Sequence, residues 1–508
     1  MRITTRTAFG WLTAFWLTLL PLFVAWLALD QTEAPWDQSL HSSSILRLHD
    51  GLVRGNLWRA YELSRFYPPL FHVLAVPASF VSTHPDAYCF GNWLALLAVM
   101  WGTFLTGRAL AGSAAGLVGA LVVPAYGWVT WMGRMPMTDL TLTATVILTL
   151  AVLVRPIDLT EPRHARWLGI AIALGMLAKW PYVLFTFLPL ARLGWAHWVR
   201  AGRVLRARAF WRPLATVLAW PLVLAGPWYA RSLPSLLGNA SWHLGSGVVV
   251  DEGDPPLFSL ESLEYYPRQL WAGYLSVPLL LLLAAGLVVL LLKWRDDVPA
   301  EVAPPARWAP LGLSVLGGLG CILLIANKDA RYLMPMIPVA AVVSGAWLVV
   351  LGAVARRRAI ICCAVLGWTL VADTLFRVSP PDRTDWKVAE TAAAIATHFD
   401  HPDDPGKVLV VPNDLAMNSN SLSYALQRIS QSKVNVERAN GVPDEAKLRE
   451  FEFAVAVLPP PEETPVSRDS AAAARFLLSR PDWAVAARLT RGDDREIVIL
   501  GRSASAVH

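Results

Sequence analysis

Four groups of ionisable residues interrupt the apolar runs of this chain. Asp37, His41 and His49 lie in "APWDQSLHSSSILRLHDG", residues 34–51. Arg134 and Asp139 lie in "MGRMPMTDLTL", and Lys179 in "GMLAKWPYVL". Lys328, Asp329, Arg331 and Tyr332 lie in "NKDARYLMP". Ionised side chains at membrane depth are costly, so such residues usually face a cavity and act there. A carboxylate can take a proton from a hydroxyl or an amine. Lysine and arginine can hold a phosphate and stabilise the charge that grows on it as it departs. A sugar carried on a lipid phosphate needs both functions, and it needs no soluble nucleotide sugar.

The elements that hold these groups follow from composition. The 508 residues are 55% hydrophobic and only 16% charged, against roughly 25% charged in soluble proteins. Apolar runs long enough to span a bilayer, about 17–25 residues, recur to about residue 376. The pattern predicts an α-helical polytopic membrane protein of about eleven spans. They fall near 9–29, 86–108, 113–131, 138–154, 167–178, 181–193, 213–229, 269–292, 308–326, 334–355 and 358–376. Arg2 and Arg6 precede the first span, which lacks a small-residue cleavage site and reads as retained.

The net charge of +6 collects in short connectors and is a topology signal; no nucleic-acid partner is implied. These connectors hold Arg108, Arg155, Arg163, Arg166, the arginines of 192–212, Lys293, Arg295, Arg307 and Arg356–Arg358. The expected arrangement puts the N-terminus and these connectors in the cytoplasm of a bacterial plasma (inner) membrane. Residues 68–82, with Pro68, Pro69 and Pro77, then form an interfacial or re-entrant piece on the outer side. The short spans at 167–193 are broken by Trp180-Pro181, which fits a tight outward hairpin around Lys179.

Residues 1–379 are expected to form the membrane domain, with an outer catalytic loop at 30–85. Residues 380–508 are expected to form a small extracytoplasmic α/β domain. There "DWKVAETAAAIATHF" has helical periodicity, and "KVLVV", "FAVAVL" and the pair "WAVAARLT"/"REIVILG" read as strands. No Gly-rich phosphate loop marks an ATP-driven pump, and Cys89, Cys321, Cys362 and Cys363, all in apolar segments, suggest packing.

Each group also has a structural reading. Pro35 makes Asp37 a natural first-turn helix acid. Asp139 can begin a span at the interface, His41 can be structural, and Lys179 can snorkel. Lys328 and Arg331 can be interfacial anchors, and the arginines of 192–212 can contact anionic lipid. Asp251, Glu252 and Asp254 fit an exposed acidic loop. Trp36 and Trp180 sit where they could stack on a sugar.

Taken in order, these segments resemble the polytopic GT-C glycosyltransferases, in particular the group of protein O-mannosyltransferases and lipid A aminoarabinose transferases (glycosyltransferase family 39-like). "APWDQSLHSSSILRLHDG" is similar to their first-loop acid motif, and "RFYPPLFHVLAV" to the aromatic-Pro-Pro-Leu segment after it. "MGRMPMTDLTL", "GMLAKWP" and "NKDARYLMPMIP" resemble three later outer segments. The resemblance implies a catalytic base at Asp37 and a second acid at Asp139. It implies lipid-phosphate contacts from Lys179, Lys328 and Arg331. Tyr332, Arg134, Tyr67 and His41 are further candidate substrate contacts. The first loop often reads Asp-Glu in this group; here it reads Asp37-Gln38. That points to a metal-independent mechanism with no cofactor. Tyr67 stands where some members carry a lysine.

The expected activity is transfer of a hexosyl or pentosyl unit from a polyprenyl-phosphate donor to an extracytoplasmic lipid, glycan or protein acceptor, with inversion. A transporter or flippase of lipid-linked sugars would use the same cations, but no inverted repeat is visible. A polysaccharide ligase would share most of the site.

Overall fold

Long apolar runs become helices here because lipid leaves the backbone no other way to satisfy its hydrogen bonds. A computed structural model describes residues 4–159, 161–201, 208–244, 254–293, 302–397, 406–411, 417–429, 434–439, 441–459 and 470–502. Five helical stretches are long and apolar enough to cross a membrane: Thr5–Leu29, Pro85–Ala125, Pro305–Leu323, Ala330–Val350 and Ala353–Val378. Two bent pairs, Trp211–Leu224 with Gly226–Gly238 and Leu260–Tyr274 with Val277–Lys293, raise the number to seven if each is one span. Asp139–Leu153 and Leu70–Ser79 are shorter apolar helices.

Cys89–Val122 breaks at Ala111-Gly112, where Gly112 has a φ of +85°. Its second half packs against Ile337–Gly345 with backbones nearly touching. A side chain at Gly345 would strike the Ala115 carbonyl, and small residues at such interfaces are what let membrane helices approach.

The basic connectors gather at one end of the bundle. Ala303 N–H donates to the Leu110 carbonyl at 2.7 Å, Arg307 to the Val154 carbonyl at 3.1 Å, and Arg192 to the Ala306 carbonyl at 3.1 Å. Arg356 donates to the carbonyls of Leu348 and Val349. The arginines donate to carbonyls where the helices run short of N–H donors: Val154, Leu348 and Val349 lie at helix ends, and Ala306 stands four residues before Pro310, which has no N–H to give. The side chains of Arg200, Arg203, Arg206, Arg208 and Arg295 lie outside the described residues.

The C-terminal part is a five-stranded sheet in the order β2-β1-β3-β5-β4. The strands are β1 (Lys407–Val410), β2 (Asn435–Arg438), β3 (Phe453–Leu458), β4 (Trp483–Thr490) and β5 (Glu496–Arg502). β1 runs parallel to β2 and β3, and β5 runs antiparallel to β3 and β4. Strand periodicity sends Phe453, Val455 and Val457 into one core and Ala454 and Ala456 into the other. Helices Val388–Ala396 and Ser419–Ile429 supply the first core, and Ser470–Leu478 the second. The short strand β2 and the helix Ser419–Ile429 are not evident in the sequence, since β2 buries little and the helix is polar on one face.

This unit is docked on the first loop. Tyr424 lies in a buried cluster with Ile45, Leu48 and Tyr88, and its hydroxyl donates to the Thr83 carbonyl at 2.6 Å. Gln31 N–H donates to the Asp382 carbonyl at 2.6 Å, and Asp382 N–H donates to Asp30 Oδ1 at 2.7 Å. Burial raises the Asp30 carboxyl to about 6, although the Asp382 N–H and Arg134 pull it down. The folded chain therefore holds this proton more tightly than the unfolded chain does. Asp30's contribution to stability should fall as pH rises from about 4 to about 6, and stay low above that. Thermal unfolding followed from about pH 4.5 to about pH 7 should show a smaller loss in Asp30→Asn than in the parent. Equal losses would assign the dependence to other groups.

Candidate active site

The first loop starts a helix, Trp36–Val53, directly after Pro35. Proline suits that position because it has no N–H to leave unsatisfied. Ser39 donates back to the Ala34 carbonyl, and Gln38 N–H donates to the Pro35 carbonyl at 2.9 Å. Trp36 takes a φ of +36°, rare for a bulky residue and the kind of outlier that collects at functional sites. Asp37 thus sits in the first turn, where the helix dipole favours an anion. Its side chain is 37% exposed and lies 3.6 Å from Arg331 Nη1.

Arg331 is oriented by a residue two positions before it. Asp329 Oδ1 accepts from the Arg331 backbone N–H at 2.8 Å, and Oδ2 accepts from its Nε at 2.6 Å. One guanidinium therefore lies between two carboxylates, Asp329 and Asp37. Tyr67 lines the inner cavity with Asp37; burial first, then the charge of Asp37, holds its hydroxyl well above the usual tyrosine range.

Deeper in the bundle, Lys179 Nζ donates to Asp139 Oδ1 at 2.8 Å. Asp139 opens the helix Asp139–Leu153, is only 2% exposed, and leaves Oδ2 without a partner. Lys179 ends the helix Pro162–Ala178 with extended backbone, as the expected hairpin requires. Gly175 allows the close turn, because any side chain there would collide with the Tyr182 ring.

Two cavities meet at Asp37. The inner one, about 350 Å³, is lined by Asp37, Tyr67, Asp139, Lys179, Trp180, Asn327, Asp329, Arg331 and Tyr332, with apolar residues including Leu142 and Phe185. The outer one, about 740 Å³, runs from Trp26 and Arg134 to Trp386, Lys387 and Glu390 of the C-terminal part. Asp37, Asp329 and Arg331 line both, so they form the wall between them. The outer cavity is rich in carboxylates, among them Asp30, Glu33, Asp86, Asp382 and Asp385.

No protein-family model matches the chain, and no curated protein matches it in sequence. Its architecture does have solved counterparts. ArnT from Cupriavidus metallidurans bound to undecaprenyl phosphate superposes with a TM-score of 0.59 at 15% identity, covering 98% of this chain and 99% of that one. The chain has the GT-C fold. Further GT-C likenesses are the archaeal oligosaccharyltransferase AglB from Archaeoglobus fulgidus, in complex with an inhibitory peptide and a dolichol-phosphate, and the arabinofuranosyltransferase AftD from Mycobacteria. AglB has a TM-score of 0.54 at 12% identity, over 88% of this chain and 69% of that one. AftD has 0.53 at 16%, over 99% and 42%.

Within this GT-C fold, five of the residues singled out in the sequence face one cavity beside Asp37: Tyr67, Asp139, Lys179, Arg331 and Tyr332. Three do not. Lys328 was expected at a phosphate, but its ammonium donates to the carbonyls of Ile322, Leu323 and Ile325, at 2.6 Å to the last. It caps the C-terminal end of the helix Pro305–Leu323, where orphaned carbonyls and the dipole attract a cation. Arg134 faces the outer cavity. Its guanidinium lies 3.9 Å from the centre of the Trp26 ring and donates to the carbonyl and hydroxyl of Ser379. His41 is fully buried behind Tyr67 and lines neither cavity.

Asp254 accepts from the Lys328 backbone N–H at 2.9 Å; Asp251 and Glu252 lie outside the described residues. Among the described residues no group of three or more His, Cys, Asp or Glu side chains is placed to hold a metal ion. Sequence reasoning placed Asp329 in the fourth ionisable group without a specific role and passed over Asn327. An Asp two residues before Arg331 on an irregular turn is a weak local sign of a helix-start cap, and Asn327 accepts from Tyr332 Oη at 2.5 Å.

Proposed function

We propose that this chain transfers a sugar from a polyprenyl-phosphate carrier to an acceptor by a single displacement with inversion. The observation that carries this reading is Asp37 on the wall between two cavities, beside the Arg331 guanidinium. The inner cavity takes the donor and the outer cavity the acceptor. Asp37 removes the acceptor's proton as its oxygen or nitrogen attacks the anomeric carbon. The bond from that carbon to the phosphate oxygen breaks, and the lipid phosphate leaves with the electron pair. Arg331, with five donors in a planar fork, can keep one edge on Asp329 and offer another to the phosphate, with Lys179 in support. Asp139 orients the sugar. The carboxylates of the outer cavity favour a neutral or cationic acceptor over a phosphorylated one.

The same reading includes about eleven crossings of a bacterial plasma membrane, with the N-terminus in the cytoplasm and both cavities outside. It is supported by the basic connectors, which collect away from the cavities, on the side expected of a cytoplasmic face.

The test is to give the purified protein, in lipid, a panel of labelled polyprenyl-phosphate sugars. Transfer of label with release of polyprenyl phosphate supports the proposal. Movement of intact donor across the membrane without release would replace it with a transporter. In the same assay Arg331→Gln should weaken donor binding about 10- to 100-fold, since a charge-assisted hydrogen bond is worth about 1.5–3 kcal/mol. Unchanged donor affinity in a folded variant would put the phosphate elsewhere.

A further inference from the structure

Two buried histidines are absent from this mechanism, although one of them stands four residues after the proposed base. His41 Nδ1 and His72 Nε2 lie 3.1 Å apart, and both side chains are fully buried. The other ring nitrogens, His41 Nε2 and His72 Nδ1, have no hydrogen-bond partner. A single shared hydrogen bond cannot satisfy two imidazoles, and unsatisfied polar groups out of water are destabilising. Leucine would fill much of the same volume without that cost.

The surroundings give the pair a use. The His41 ring meets the Tyr67 ring edge-on, with centroids 4.4 Å apart. His41 also packs edge-on against Phe71, which neighbours His72 on the helix Leu70–Ser79. Tyr67 and Asp37 line the same inner cavity, close enough for the carboxylate's charge to act on the tyrosine hydroxyl. A line of contacts thus runs from His72 through His41 to Tyr67, which shares the inner cavity with Asp37. It ties the loop helix to the segment that follows Pro68-Pro69. Burial, with the charges of Lys179 and Arg331 adding to it, pushes the His41 imidazole down to about 3. The strut is therefore neutral and adds no repulsion toward Arg331.

We infer that His41 and His72 are positioning residues, which hold the Tyr67 ring so that its hydroxyl fixes the orientation of Asp37 toward the acceptor. A carboxylate that is more than a third exposed has freedom to turn away from the attack line. The strut removes that freedom, and orientation of a catalytic group within a fraction of an ångström is worth large rate factors. This rests on the reading of Asp37 as the base.

The test compares three variants in lipid: His41→Leu with His72→Leu, Tyr67→Phe, and all three substitutions together. The histidine pair variant should unfold at the same temperature as the parent or higher, because it removes unsatisfied polar atoms. Its kcat should fall on the order of tenfold with little change in donor KM, and Tyr67→Phe should do the same. The triple variant should be no slower than either, because residues acting through one another are not additive. Parent-like kcat in the histidine variant, or a triple variant whose losses multiply, would overturn the inference. Should the pair variant not accumulate, His72→Leu alone carries the same expectations, since it removes the anchor and leaves the Tyr67 contact. Normal kcat in all these variants, together with a slow Asp37→Asn protein, would remove the strut and leave the base in place. A fast Asp37→Asn protein would remove the base itself.

Discussion

Asp37→Asn should slow sugar transfer by about 10²–10⁴-fold at saturating donor, while the protein still folds and still binds donor. Asparagine matches aspartate in shape and keeps an oxygen that can accept a hydrogen bond, but it cannot take the sugar acceptor's proton. The alternative is that Asp37 serves only as the first-turn acid of Trp36–Val53. Asparagine would then cost a few tenths to about 1 kcal/mol and turnover would survive, since the dipole asks only for a modest negative partner. The two readings differ by orders of magnitude in one measurement. Donor affinity, measured separately, keeps the result from being confused with loss of the Arg331 geometry. Turnover within a few-fold of the parent would take Asp37 out of the mechanism.

How far the sequence could go depended on the range of the forces involved. Asp37 was legible as a first-turn residue because Pro35, directly before Trp36–Val53, fixed a helix start, a local arrangement. Lys179 was legible because Trp180-Pro181 breaks a helix and the lysine ends it. The strands β3 and β5 were legible because their alternating side chains serve two cores at once. Lys328 was misread for an equally physical reason. Its spacing from Arg331 suggested a shared phosphate, but whether a lysine reaches a ligand or a helix end depends on where that helix stops. The carbonyls of Ile322, Leu323 and Ile325 lie within its reach. His41 shares a helical face with Asp37, four residues on, yet the face turns inward because His72 and Tyr67 arrive from another segment. The outer cavity was invisible for the same reason. Its walls join residues 26–38 to residues 379–390, and only the docking of the C-terminal part brings them together.

Lys179→Met should be the most destabilising single change at the site, by about 3–5 kcal/mol, because it strands a buried carboxylate. Asp139 is 2% exposed, its Oδ1 accepts from Lys179, and its Oδ2 has no other partner. Methionine keeps most of the lysine stem's volume, so the loss reports charge and not a cavity. Asp139→Asn added to Lys179→Met should return most of that stability, since the isolated charge is gone; the difference between single and double variants measures the pairing. Thermal unfolding in lipid or mild detergent reads it. Equal stability in the single variant and the parent would mean that water or Arg331 already compensates Asp139. Donor binding by the rescued double variant then separates the two roles of Lys179. If the lysine serves only to neutralise Asp139, affinity returns with stability. If it also meets the departing phosphate, stability returns and affinity does not, because methionine offers that oxygen nothing to replace the ammonium. The second outcome is expected, because Lys179 lines the same cavity as Arg331, and a phosphate there would lie within reach of both cations.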